Sequence, residues 1–318
     1  MNCSRPKRLF PSIKQNQPFL LDKSFKLSYN DSNDGILGGI FLILQYQQVL
    51  ALPYEERGLY IQQHPDFLEG MLDHIGHRSG ELRDQYNYRL FVELLSADQI
   101  PHDVLQRFAE RITGEDFLLK GLGESEGDAV FTRSFAALWL TAILHADGQL
   151  ELLGEEAVTG MTAGALKIMT RERDLRSFVD EESGWAHAIA HVSDLLTALI
   201  QHRHFDMHNA PYMLQALKES FWKGRVYTDD EEERFVKVIE ALIGKGVQEE
   251  ILVEWVEQVF DKLEMYAFEL GYTQDWFRAR TNILHFMNTL YFTLKFSNRY
   301  EKLRAVTSIF IQRWMKLS

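Results

Sequence analysis

From residue 36 to the C-terminus, apolar residues recur at intervals of three and four and seldom alternate, the period of helices that bury one face. A helix predicted from about Pro65 to Ile75 ends at Gly76. After His77-Arg78-Ser79-Gly80 a second runs from Glu81 through Leu95, with Leu82, Tyr86, Leu90, Val92 and Leu94 supplying core contacts. A comparable pair follows: Glu115 to Leu122, a turn over 123–127, then Asp128 as N-cap before Phe131, Phe135, Leu138, Trp139 and Ile143. The third pair is Leu166 to Val179 and a helix from Gly184 to Gln201. The fourth is Met213 to Phe221 and a helix reaching Ile243, opened by the capping box Thr228-Asp229-Asp230-Glu231. Helices over Leu252–Leu270, Trp276–Phe296 and Tyr300–Leu317 close the chain.

The second helices of the four pairs begin near residues 81, 128, 184 and 229. That spacing is somewhat longer than the ~40–47 residues of HEAT and armadillo repeats. Such pairs stack because each alone cannot bury its apolar face. The expected fold is therefore all-α, a single HEAT-like helical-repeat domain (an α-α superhelix) over residues 35–318, with capping helices at its C-terminal end. Residues 1–34 break the pattern. They combine Pro6, Pro11 and Pro18 with Arg5, Lys7, Arg8, Lys14, Lys23 and Lys26 against Asp22 alone, which reads as a flexible basic N-terminal arm.

Composition narrows the partners. A net charge of −12 argues against nucleic acid, whose affinity rests on Lys and Arg neutralising phosphates. The longest strongly apolar run, 35–44, falls well short of the ~20 residues that span a bilayer and reads as a buried first helix. No membrane partner is expected. One cysteine, Cys3, leaves no disulfide or cysteine-based metal site within a monomer and fits a reducing cytoplasm.

The candidate chemistry lies in Gly184-Trp185-Ala186-His187-Ala188-Ile189-Ala190-His191-Val192-Ser193-Asp194-Leu195-Leu196. Read as one helix, this stretch places His187, His191 and Asp194 within a sector of roughly 60°. The apolar set Ala188, Val192, Leu195, Leu196 and Leu199 centres elsewhere on the same cylinder. The two imidazoles at i and i+4 could share a divalent metal with Asp194 as a third ligand, line a ligand groove, or bond neighbouring helices. A zinc-peptidase reading is excluded, because Ala188 stands where that chemistry needs a Glu. Asp128 and Arg133, at the equivalent level of the preceding repeat, complete the groove candidates with Trp185. Arg83 and Asp84 read as an inter-repeat ion pair, His202, His204 and His208 as a helix C-terminus, and Asp229–Glu233 as an exposed acidic helix start. No nucleophile elbow, cysteine nucleophile or acid and base carboxylate pair is found.

Three stretches resemble a bacterial family of uncharacterised HEAT-like helical proteins: Ile75-Gly76 with Glu81-Leu82-Arg83-Asp84 and Tyr88; Gly121-Leu122-Gly123-Glu124 with Gly127 to Phe135; and Gly-Trp-x-His-x-x-Ala-His-x-x-Asp-Leu-Leu from Gly184 to Leu196. The resemblance implies a right-handed helical stack and no activity. The leading reading is a cytoplasmic binding or scaffolding module, with a polar groove around His187, His191 and Asp194 for a protein or small-molecule ligand. The alternative is a metal-dependent or small-molecule-transforming enzyme using the same groove. No cofactor is firmly implied; a divalent metal at His187, His191 and Asp194 is the one candidate.

Overall fold

The computed structural model describes residues 36–315, with side chains from Gly38 onward, and the arm at 1–34 lies outside the described residues. The described residues are mostly helical: α1 (Ile36–Ala51), α2 (Tyr54–Gln63), α3 (Asp66–Asp73), a π-helix over Glu81–Tyr88 that runs straight into α4 (Arg89–Ser96), α5 (His102–Thr113), α6 (Ala129–Leu150) and α7 (Glu155–Arg171). A two-stranded antiparallel hairpin, β1 (Phe178–Asp180) and β2 (Gly184–Trp185), precedes α8 (Ala188–Gln201). Then come α9 (Ala210–Ser220), α10 (Glu231–Gly244), α11 (Glu249–Leu270), α12 (Gln274–Ser297) and α13 (Glu301–Met315).

The helices lie in two rows. In one, the π-helix and α4 are followed by α6, α8, α10 and α12, each packed on the next; in the other, α5 leads to α7 and α7 to α9, with α11 and α13 packed together at the C-terminal end. One continuous core joins them, from Tyr46 and Val49 through Trp139 and Leu195 to Phe286 and Trp314. Helix α6 is at its centre: it is long and apolar enough by length and composition to cross a membrane, yet most of it is buried in the core. The turn between α3 and the π-helix passes closest to α6 at Gly76. A Cβ added there would lie 2.5 Å from Thr132 Cα and 2.6 Å from Thr132 N, so the chain passes against the α6 backbone only because Gly76 has no side chain.

Several predicted elements come out differently. From residue 36 the apolar run is helical, but Ile40, Phe41 and Leu44 are exposed; among the described side chains of α1, Tyr46 and Val49 are fully buried, and Leu42, Ile43 and Leu50 pack partly buried on the core. Residues 115–122 form turns instead of a helix, tied by amide bonds such as Leu118 N to the Ile112 carbonyl. Helix α7 stops at Arg171, not Val179, because Glu172 and Asp174 turn their carboxylates onto the amides of residues 173, 174 and 176. These side chains replace the helical bonds and send the chain out into the hairpin. The helix read from Gly184 begins at Ala188. Thr228 forms no capping box, since Asp230 holds the N-cap position of α10 in the left-handed region.

Candidate functional site

Arg83 anchors the site from below. It is fully buried and pairs with no carboxylate among the described residues; its guanidinium donates instead to the carbonyls of His77 (2.8 Å), Arg78 (3.1 Å), Ser183 (2.7 Å) and Trp185 (2.9 Å). Its flat face lies over the rings of Phe131 (4.3 Å) and Phe135 (4.6 Å). The residue read as an ion-pair partner of Asp84 is thus the pin that holds the hairpin against the π-helix and α6. Burial lowers its pKa to about 10, with the Asp84 charge opposing.

The pinned hairpin sets the conformation of His187. The backbone crosses from β2 into α8 with Ala186 N bonded to the Ser177 carbonyl and His187 N to the Arg176 carbonyl. His187 sits at the N-cap of α8 with φ 54°, in the left-handed region that histidine adopts more readily than most residues. It is therefore not on the helical stripe read from the sequence. Its ring still lies 5.6 Å from that of His191, within a ladder of rings running Phe178–Trp185–His187–His191–Phe135–Tyr88 with centroids 5.2–6.0 Å apart. Trp185 and Phe178 are exposed at the outer end.

His191 is the fixed element of the ladder. The Ser134 hydroxyl bonds the Ala186 carbonyl, and His191 Nδ1 lies 2.7 Å from the same hydroxyl oxygen. A carbonyl only accepts, so the hydroxyl proton goes to Ala186 and Nδ1–H of His191 donates to Ser134. Nε2 then carries the lone pair, on a partly exposed residue. Burial lowers the imidazolium pKa well below its ordinary 6.5, and the charges of His187, Arg234 and Arg83 push in the same direction. His191 is a neutral imidazole at pH 7.

Asp194, one turn on, pairs with Arg234 of α10. Its carboxyl is raised by burial, against the lowering effect of Arg234 and Lys237. Asp84 and Tyr88, four residues apart on the π-helix, border the same region: burial, then the Asp194 and Asp84 charges, push the Tyr88 phenol up to about 12. Burial raises the Asp84 carboxyl as well, opposed by Arg83. The exposed side of the site thus joins Asp84, Tyr88, His191, Asp194 and Arg234 from three elements.

On the buried side stands Glu231, which the sequence reading placed in an exposed acidic helix start. It is buried; Ser177 Oγ donates to it at 2.6 Å, Asp229 N at 2.9 Å, and His187 Nε2 lies 3.4 Å away. Burial would raise this carboxyl, but His187, Ser177 and the backbone amides outweigh it and hold it at about 2. The 3.4 Å contact is an ion pair when the imidazole is protonated rather than a well-directed hydrogen bond. The cleft beside it, lined by Leu175, Ser177, His187, Tyr227 and Glu231, leaves no space for a water molecule.

The other sequence candidates are placed elsewhere. Arg133 does not face a groove: it is 1% exposed and clamps Glu172 through Nε (2.6 Å) and Nη2 (2.8 Å), with Nη1 on the Lys120 carbonyl at 2.6 Å. Asp128 occupies the N-cap position of α6, but its carboxylate is exposed and makes no capping bond. His202 is buried and bonded to Asp147 at 2.9 Å, a partner it shares with Arg203. Of the proposed metal ligands, His187 faces Glu231, His191 Nδ1 is spent on Ser134, and Asp194 is held by Arg234. Among the described residues no three His, Cys, Asp or Glu side chains lie together as a metal ion requires.

A family model described as Protein of unknown function (DUF2785) matches residues 118–292, more than half of the chain. The chain belongs to this family. The matched span runs from before α6 to near the end of α12, so the family region includes Ser134, His187, His191, Asp194, Glu231 and Arg234, while Arg83, Asp84 and Tyr88 precede it. No curated protein and no solved structure matches the chain significantly.

Proposed function

We propose that this member of the DUF2785 family is a cytoplasmic helical-repeat binding module of the HEAT type, with a recognition face for a protein or small-molecule ligand formed by the π-helix, α6, α8 and α10. The successive packing of α6, α8, α10 and α12 in one row supports the repeat reading. One observation carries the recognition face: His191 is held in a single tautomer by Ser134 and keeps an Nε2 lone pair that no described residue uses. Asp84 and Tyr88, both partly exposed, likewise make no side-chain hydrogen bond among the described residues. Polar groups that are partly desolvated and unpaired gain from a ligand that pairs with them. The cleft beside His187 is too narrow to serve, so recognition uses the exposed side.

A fragment screen by NMR on the full chain, with histidine ring resonances labelled, tests the reading. Binders are expected to shift the His191 ring signals and to lose affinity in His191→Gln and Tyr88→Phe. Binders that leave His191 undisturbed and are indifferent to both substitutions contradict it. An enzyme is the second reading, and the oriented Nε2 lone pair of His191 favours it, because an unprotonated ring nitrogen is the form in which a general base acts. Ser134 would not be its nucleophile: the hydroxyl is fully buried and committed to Ala186. Turnover of a bound fragment that disappears in His191→Gln would decide for the enzyme.

A further inference from the structure

A different surface carries charge that the fold does not use. Contacts through Arg133 and Lys223 bring together the 120–121 turn, the end of α7 and the turn after α9, and Arg278 of α12 holds that last turn. Arg133 Nη1 donates to the Lys120 carbonyl at 2.6 Å and clamps Glu172; Lys223 Nζ donates to the Thr170 and Glu172 carbonyls, both at 3.0 Å; and Arg278 Nη1 reaches the Gly224 carbonyl at 2.9 Å. Lys120, Arg171, Arg173, Lys223 and Arg225 therefore lie along one edge. Lys120, Arg171, Arg173 and Arg225 are exposed, and none of these four side chains makes an ion pair or hydrogen bond among the described residues.

Four of the neighbouring carboxylates are already spent: Glu172 on Arg133, Asp174 on Arg176, Glu219 on Lys262 and Asp275 on Arg278. Lys223 has lost water without gaining a carboxylate of its own, and burial, aided by Arg173, lowers its ammonium to about 8 against the pull of Glu172 and Glu219. In a chain of net charge −12, this edge is a local reversal of sign.

We propose that this edge docks an acidic segment of a partner protein. The patch is short, because Glu124 lies directly against Gly121, and the exposed Glu126 and Asp128 follow it. A long polyanion such as nucleic acid would run onto those carboxylates and meet the net negative charge of the whole chain. A short run of Glu or Asp side chains spans the cations and stops before them. The surface is distinct from the His191 face and does not depend on its role.

The test is fluorescence anisotropy of a labelled Glu-rich peptide against the full chain. Saturable binding is expected at low salt, weakening as ionic strength shortens the screening length from roughly 10 Å toward 3 Å. The variant Arg171→Glu/Arg173→Glu/Arg225→Glu, all at exposed positions, is expected to retain its helical circular dichroism and lose about tenfold or more in affinity. If it fails to fold, Arg225→Gln alone and Arg171→Gln alone are expected each to weaken binding measurably. Unchanged affinity in the folded variants, or no saturable binding of the peptide at low salt, overturns the proposal. So does tighter binding of polyphosphate, heparin or anionic vesicles than of the peptide, which would assign the edge to another class of polyanion.

Discussion

Replacing Arg133 with Met separates the structure from the sequence reading most sharply. A side chain lining an open groove costs within ~0.5 kcal/mol when replaced. Here the guanidinium and the Glu172 carboxylate are both essentially without solvent, joined by two short bonds, and Arg133 also satisfies the Lys120 and Gly121 carbonyls. Met fills much of the volume but leaves a buried carboxylate with no cation bonded to it, although the amides of residues 173 and 174 still donate to it and the Lys223 charge lies nearby. Breaking one side of such a pair typically costs ~3–5 kcal/mol, most of it the desolvated charge left behind. The remaining amide bonds place the expectation at the lower end, about 3 kcal/mol. Glu172→Gln should be costly as well. The double variant Arg133→Met/Glu172→Met should recover part of the loss, since neither charge is then stranded. Urea denaturation followed by circular dichroism measures all three. A loss below about 1 kcal/mol in Arg133→Met, or losses that simply add in the double variant, would refute the reasoning.

Other expectations follow from the same geometry. His191 has a lowered folded pKa, so the unfolded chain binds more protons below pH 6.5; stability should be full above about pH 7 and decline as pH falls from 6.5, and His191→Gln should flatten that decline in pH-dependent urea melts. Glu231, held at about 2 against an ordinary 4.5, contributes stability that is present above pH 4.5 and lost as pH falls toward 2; Glu231→Gln should remove that acid limb, and an unaltered limb would exclude Glu231 as its source. Gly76→Ala should cost at least ~2 kcal/mol, because the new methyl meets the backbone of α6 and not a movable side chain, and a near-neutral result in the same melts would show that this turn can move away from α6.

Much of the helical skeleton was legible because its signal is local. The apolar stripe of α12 and the buried set Val192, Leu195, Leu196 and Leu199 on α8 repeat within one turn and need no distant partner. The segments that were misread are those where side chains replace the helical bonds, as Glu172 and Asp174 do after α7. For the site, the sequence pointed to His187, His191 and Asp194, yet it could not show that their contacts come from elsewhere in the chain. Ser134 lies 57 residues from His191, Glu172 39 from Arg133, and Arg234 40 from Asp194. Glu231 illustrates the difficulty: within Asp229–Glu233 it looks like its solvated neighbours, and only the arrival of Ser177 and His187 makes it a buried anion. Ser134, which follows Arg133 one turn inside α6 at the level of the histidines, was an available hint.

The central claim is that His191 presents a free Nε2 lone pair from a fixed, neutral imidazole, and the ring nitrogens report this directly. Long-range proton–nitrogen NMR correlation on ¹⁵N-histidine-labelled full chain should show His191 as the Nδ1–H tautomer, with Nε2 unprotonated and no titration near the ordinary pKa of about 6.5. A His191 ring that carries its proton on Nε2, or that titrates near that value, would contradict the account.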